Sequence, residues 1–223
     1  MKMIKGFTIA ETVVTLGIIG ILASITLPAI RHLKPNTEML MLKKVYYNVS
    51  RMVNELINDD DFYPDADTEE GSGFSNVNSV PPAVYHGVEY KGVTKFCGLF
   101  AARMNVKSAI NCSETSPVTS ASTFPTAGAA PSGTGTFTTA DGVVWVLPIG
   151  SFASTAADPS GKMSIYVDVN GDKPGNCFEN ANCKIPDRFE IQVDRWGRIY
   201  VNSPLAKKYL SNTDVTKSYE DFN

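Results

Sequence analysis

Apolar residues follow three different rhythms along this chain. From Phe7 to Ile30 they form one unbroken run in which Glu11 is the sole charge. Such a run has no polar face, and at about 1.5 Å per residue it is long enough to cross a hydrocarbon core of about 30 Å. From Met39 onward the rhythm becomes helical. Met39, Leu42, Val45 or Tyr46, Val49, Met52 or Val53, and Leu56 recur every three or four residues, opposite Lys43, Lys44, Asn48, Arg51 and Asn54. This half-helix needs a cover on one side. Between the two, Arg31, His32 and Lys34 mark an interface, and Pro35 kinks or restarts the helix. A helix continuous from Phe7 to Ile57 would be about 75 Å long, so its first half must protrude from the folded head.

The third rhythm is that of strands. Val143 to Leu147, Met163 to Val167, Phe189 to Val193 and Arg198 to Val201 have strand composition, the last three with partial alternation. Asp194-Arg195-Trp196-Gly197 is a tight connection that makes a hairpin of the last pair. An antiparallel sheet laid on the stripe from Met39 to Leu56 would close one core. The expected fold is therefore α+β, a long N-terminal helix packed on an antiparallel head. Asn58 to Gly73 reads as an acidic loop, with Asp59-Asp60-Asp61 ending the helix. Lys91 to Val106 reads as a short helix carrying Phe96, Leu99, Phe100 and Met104 and burying Cys97. Ser113 to Asp141, rich in Ser, Thr, Ala, Gly and Pro, reads as a surface loop.

The start of the chain adds the most specific signal. Lys2 and Lys5 precede Gly6-Phe7-Thr8-Ile9-Ala10-Glu11, and the apolar run continues through Leu16-Gly17-Ile18-Ile19-Gly20-Ile21-Leu22-Ala23 to Pro28. A secretory signal is cut after its apolar region, whereas the plausible cut here lies before it, after Gly6. A carboxylate inside a membrane-length helix costs on the order of 2.5–3.5 kcal/mol even on lenient scales, which asks for a functional reason. Together these residues resemble the prepilin signal of type IV pilins and type II secretion pseudopilins.

The resemblance covers about the first 30 residues closely. It implies that residues 1–6 are a leader removed by a prepilin peptidase between Gly6 and Phe7, and that the new amine of Phe7 is methylated. It further implies that 7–30 is a helix that sits first in the membrane and then in a filament core, with Glu11 pairing the ammonium of a neighbouring Phe7. An inner-membrane platform protein and an assembly ATPase are the implied partners, beside copies of the chain or other pilins. Residues 31–57 would be the amphipathic half-helix and 58–223 the α+β head, with the loop at 113–141. The bland alternative is a single-pass anchor whose glutamate snorkels. Gly17, Gly20 and Pro28 weaken the helix, since glycine costs about 1 kcal/mol and proline about 3 in a helix interior. The family unwinds near this stretch; small residues at a helix interface explain the glycines equally well.

Cys97, Cys112, Cys177 and Cys183 all lie in the head, which fits two disulfides formed outside the cytoplasm. Four cysteines allow three connectivities, and the sequence-local pairs Cys97 with Cys112 and Cys177 with Cys183 are favoured. Zinc is the competing reading, weakened by the lack of a C-x-x-C pair and by the distance of His32 and His86 in the sequence. The positive-inside count does not fix the orientation, because Lys2 and Lys5 face Arg31, Lys34, Lys43 and Lys44 across the span; the cysteines place the head outside. The precursor is thus expected in the cytoplasmic membrane as a single-pass protein, then in a pilus or periplasmic filament.

The net charge of −3 across 223 residues argues against a generic nucleic-acid surface. There is no nucleophile elbow, H-E-x-x-H or glycine-rich phosphate loop, so no enzyme is expected. Asp187, Glu190 and Asp194 read as a solvated strand face. One site-like constellation remains, Asp168-Val169-Asn170-Gly171-Asp172-Lys173. Asp168, Asn170 and Asp172 could converge on calcium around a glycine turn, although no bidentate glutamate follows at EF-hand spacing and Asn170-Gly171 is itself a turn signal. The stretch resembles a D-V-N-G-x-K motif of some pilin-like proteins, and some pseudopilins hold calcium in a head loop. No cofactor is required. The function expected is that of a structural filament subunit, either a type IV pilin or a type II secretion pseudopilin; a membrane-tethered adhesin or binding module that never polymerises is the second class.

Overall fold

The computed structural model describes residues 8–32, 36–64, 73–74, 82–108, 110, 112, 134–150, 152, 156, 158–171, 173, 177–178 and 186–212, with the backbone alone at 27–32. Helix α1 spans Ile9–His32, two residues past the expected end, and helix α2 spans Thr37–Ile57. The helix restarts on its own cap. The Asn36 side-chain oxygen accepts the Met39 N–H at 2.9 Å, and the Asn36 carbonyl accepts from Leu40. Met39, Leu42, Val45, Val49, Met52, Val53, Leu56 and Ile57 are buried, so the helical rhythm resolves in favour of Val45 over Tyr46 and takes both Met52 and Val53. Fully burying each such side chain is worth about 1.5–3 kcal/mol, far more than the propensity of the helix itself.

The cover is a five-stranded antiparallel meander: β3 (Thr134–Thr138), β4 (Val144–Pro148), β5 (Met163–Asp168), β6 (Arg188–Val193) and β7 (Ile199–Tyr200), paired in that order. Phe137, Trp145, Val167 and Phe189 pair across one row and Ile165 with Ile191 across the next, and these side chains share one core with the α2 stripe. Strand β3 corrects the reading of 113–141 as loop throughout. The run Thr134, Thr136, Phe137, Thr138 is β-branched and aromatic in a Gly-rich context, and it pairs because Gly135 to Phe137 fit against Leu147 to Trp145. Residues 113–133 lie outside the described set.

The expected helix at 91–106 is shorter. A 3₁₀ turn at Gly92–Thr94 leads into α3 at Lys95–Ala102, and Arg103 caps it. Two elements were not anticipated. Strands β1 (Ala83–Tyr85) and β2 (Val88–Tyr90) form a hairpin around His86, an exposed residue at φ 51°, and Gly87. Helix α4, Pro204–Ser211, starts with the Ser203 side chain accepting the Ala206 N–H and buries Leu205, Ala206 and Tyr209. Lys43 of α2 donates to the Asn212 carbonyl just past the end of α4, which joins the two helices.

Arg103 closes the other end of α2. That end has no basic residue in its last turn and is followed by Asp59-Asp60-Asp61, an unfavourable arrangement for the helix dipole. The Arg103 guanidinium supplies the missing cation, 3.6 Å from both Glu55 and Asp59, while stacking 4.4 Å from the Phe62 ring centre.

Buried Lys95 donates its ammonium to the Phe62 carbonyl and lies 4.5 Å from the Tyr63 ring centre. Both contacts favour the charged amine, yet burial wins and lowers it from 10.5 to about 8. Between those values the unfolded chain binds the proton and the folded chain does not, so stability must rise with pH. Burial holds the Tyr63 hydroxyl above its usual 10.0, which reverses the trend once an unfolded tyrosine ionises. The melting temperature of the chain in mild detergent should therefore climb from pH 8 to 10, and Lys95→Met should flatten that climb. A second expectation concerns Gly98 of α3, where a Cβ would lie 2.5 Å from Tyr90 Cδ1. Gly98→Ala gains helix propensity but must push the Tyr90 ring aside, and a net loss of about 1–3 kcal/mol in denaturant titration is expected.

Candidate functional site

Among the described residues, none covers any side of helix α1 over Ile9–Thr26. None of the stretch Ile9–Thr26 is buried, and Ile9 is 85% and Ile25 66% exposed. It is the one helix among the described residues long and apolar enough to cross a membrane. Gly17 and Gly20 have no atom within 4 Å of where a Cβ would stand, and the helix continues unbroken through both glycines and position 28. Each such glycine is unfavourable for an isolated helix by about 0.5–1 kcal/mol and relieves no crowding inside this chain.

Glu11 is built into the start of that helix. Its Oε2 accepts both the backbone N–H and the hydroxyl of Thr8 at 2.8 Å, while the Thr8 hydroxyl accepts the Glu11 N–H at 3.3 Å. Thr8 is the N-cap and Glu11 the third helical residue, a reciprocal capping box. The sequence carried the signal as Thr8-x-x-Glu11 before an apolar run, a capping pattern that the reading of Glu11 as a partner for the Phe7 amine did not include. The box has a chemical consequence. Oε2 is engaged, and Oε1 has no hydrogen-bond partner among the described residues, so one lone-pair face of the carboxylate stays open to an external donor. Gly6 and Phe7, the expected cleavage and methylation positions, lie outside the described residues.

In the head, Cys97 and Cys112 form the expected disulfide. It ties buried α3 to the segment that runs along the outer edge of β3, where Lys107 N–H donates to the Thr138 carbonyl at 2.7 Å. Cys177 is disulfide-bonded; Cys183 lies outside the described residues.

The structure gives each oxygen of Asp168 a protein partner. Its Oδ1 accepts the Gly171 N–H at 2.8 Å and its Oδ2 accepts Arg188 Nε at 2.9 Å. Burial pushes its carboxyl above the usual range against the pull of Arg188. Gly171, at φ 66°, is required twice over, since a side chain would be strained there and its Cβ would collide with the Gly142 carbonyl. Asn170 Oδ1 is buried and accepts no hydrogen bond. Asp172, the third expected ligand, lies outside the described residues. No group of three metal-ligating side chains occurs among the described residues. As placed, Asp168 stabilises the turn, and a cation bound to it would share the carboxylate with Arg188.

Asn170 is also one of the residues lining a cleft of about 340 Å³ between the first turn of α2 and the sheet, with Thr37, Glu38, Met41, Asp141, Gly142, Val169 and Lys173. Asp141 on its wall is paired with Lys44 at 2.8 Å and with the Thr139 hydroxyl.

The remaining acidic residues correct an expectation. Asp187 and Asp194 are fully buried, not part of a solvated strand face. Asp194 organises the last hairpin: Oδ1 accepts from Trp196 and Arg198 N–H, and Oδ2 accepts from Arg198 Nε and the Tyr200 hydroxyl, all at 2.9 Å. Asp187 Oδ1 accepts the Cys177 N–H at 2.8 Å. Only Glu190 stands on the outer face, where the Ser164 hydroxyl and the Gln192 amide donate to it. These are turn and sheet supports, and Asp194 has both of its oxygens engaged.

Because Asp168 is occupied by Arg188 and Gly171, millimolar calcium and a chelator should give the same melting temperature. A calcium-dependent rise would show that the cation outcompetes the arginine.

Comparison of the chain with protein-family models, with curated proteins and with solved structures found no match.

Proposed function

We propose that this chain is the structural subunit of a type IV pilus-like filament, made as a membrane precursor, trimmed between Gly6 and Phe7, and assembled by bundling of α1. The observation that carries the reading is a single helix that is apolar on every side, uncovered by its own head, and opened by the Thr8–Glu11 box directly after the Gly6-Phe7 junction. A helix of this kind is stable in lipid or among copies of itself, and either environment satisfies its side chains.

The open Oε1 of Glu11 suits the second environment. A neighbouring Phe7 ammonium could donate to it without dismantling the capping box, so one carboxylate can both start its own helix and fix the register of the next. The head, with α2 as its spine, would tile the outside of the shaft. The prepilin peptidase, a platform protein and an assembly ATPase are the partners this reading requires. A type II secretion pseudopilin would share all of these features. The Cys97–Cys112 disulfide supports a head that folds outside the cytoplasm in either case.

Glu11→Gln separates the two roles of the carboxylate, because glutamine can still complete a capping box but carries no charge. Mass spectrometry should find the mature chain starting at Phe7 in both proteins, while filament incorporation falls sharply in the variant. Full surface display and function of the Glu11→Gln chain would leave the membrane-tethered module as the better account.

A further inference from the structure

Asn170-Gly171 is the one Asn-Gly step in the chain, and such a step can react with itself. The backbone nitrogen after an asparagine can attack the side-chain Cγ, and a glycine there has no Cβ to hinder it. A new N–C bond closes a five-membered succinimide, and the side-chain nitrogen departs as ammonia, carrying away the proton of the attacking N–H. Water then opens the ring to an aspartate or an iso-aspartate. Water is the only co-reactant.

The fold holds two parts of this reaction in check. The Gly171 N–H, which must attack, donates to Asp168 Oδ1 at 2.8 Å. To reach Cγ the nitrogen must leave that bond and lose its proton, and a carboxylate is far too weak a base to take a proton from an amide. The second check lies at Asn170 Oδ1. Attack on Cγ places negative charge on that oxygen, which is buried and accepts no hydrogen bond. An oxyanion without a donor, in a place closed to water, is the reverse of the arrangement that speeds acyl chemistry. The orphaned acceptor thus costs stability and slows the reaction. A neighbouring step is treated alike. A Cβ on Gly171 would lie 2.4 Å from the carbonyl oxygen of Gly142, which belongs to the one Asp-Gly step of the chain, and the Gly142 N–H is also engaged, donating to the Thr139 carbonyl at 2.9 Å.

We propose that Asn170-Gly171 is a latent self-modification site that the folded head keeps silent, with Asp168 as the positioning residue that holds its nucleophile. Closure of the ring would remove the Gly171 N–H and leave Asp168 Oδ1 without its donor. Hydrolysis would then add a carboxylate two residues from buried Asp168. The turn therefore protects the chemistry on which its own shape depends.

The test holds the full chain in mild detergent at mildly alkaline pH over days, and mass spectrometry resolves the peptide carrying position 170 into asparaginyl, aspartyl and iso-aspartyl forms. The folded chain should convert roughly tenfold or more slowly than the same chain in urea, because reaction must wait for local opening. Asp168→Ala, checked for an intact melting transition, should convert several times faster than the unaltered chain. Asp168→Asn keeps an oxygen to accept the Gly171 N–H and should stay close to the unaltered rate. Equal rates in the folded and unfolded chain would overturn the proposal. So would a folded Asp168→Ala chain that converts no faster, or an Asp168→Asn chain that converts as fast as Asp168→Ala. Should Asp168→Ala fail to fold, hydrogen exchange at the Gly171 N–H of the unaltered chain decides. Exchange slowed together with conversion supports the held nucleophile, and exchange at the unfolded rate beside an intact Asn170 refutes it.

Discussion

The apolar stripe of α2 must be covered, and the head is arranged around that need. Helix propensity alone would leave Thr37–Ile57 marginal in water, so its stability comes from the sheet, α3 and α4 that share its core. The polar contacts along its flanks act as fasteners. Lys44 reaches the β3–β4 turn at Asp141, Lys43 reaches the carbonyl after α4, and Arg103 neutralises the acidic end. The β6–β7 hairpin comes so close that a Cβ on Gly197 would lie 3.3 Å from Val53 Cγ1. Buried Asp194 holds that hairpin in shape by accepting from its backbone and side chains. The buried charge is thus tolerated because its acceptors are used, and its use fixes the surface against which α2 packs.

Helix α1 is the opposite case. It has no stripe, so no single partner face could satisfy it, and the described residues of the head offer none. What such a helix needs is an apolar environment on all sides, supplied by lipid or by several other helices. The glycines sharpen the distinction. In α3, Gly98 exists because Tyr90 occupies the space of a side chain. In α1, Gly17 and Gly20 meet nothing, and their cost to the helix has no internal compensation. A close approach by another helix would provide one.

Long, strongly periodic segments were legible in the sequence, and short cooperative ones were not. The burial of Met39, Leu42, Val49 and Leu56 follows from spacing alone, and the four expected strand runs overlap β4 to β7, the last of them only at Ile199 and Tyr200. Strand β3 escaped because Thr and Gly in a Ser/Thr-rich context resemble loop until β4 supplies a pairing partner. The β1–β2 hairpin and α4 are too short to carry a period of their own; α4 forms because Leu205, Ala206 and Tyr209 find the core. The buried carboxylates were misread for a related reason. Composition places Asp on surfaces, and only tertiary placement shows how many backbone donors converge on Asp194 or Asp168. At the N-terminus the failure was of a different kind, since Thr8-x-x-Glu11 was fully visible but Glu11 was read for its pairing with a neighbouring amine and not for its bond to Thr8.

The separate start of α2 has a mechanical implication. A helix that merely continued α1 would take its first-turn acceptors from α1, and its geometry would depend on whatever surrounds that helix. Here Asn36 supplies them instead, through its side chain to Met39 and its carbonyl to Leu40. Every packing contact that defines the head then begins at or after that cap, from Met39 onward. The head can therefore keep one structure whatever surrounds α1. The sequence agrees with this division, because Pro35 directly precedes the cap and a proline there withholds no donor that α2 uses.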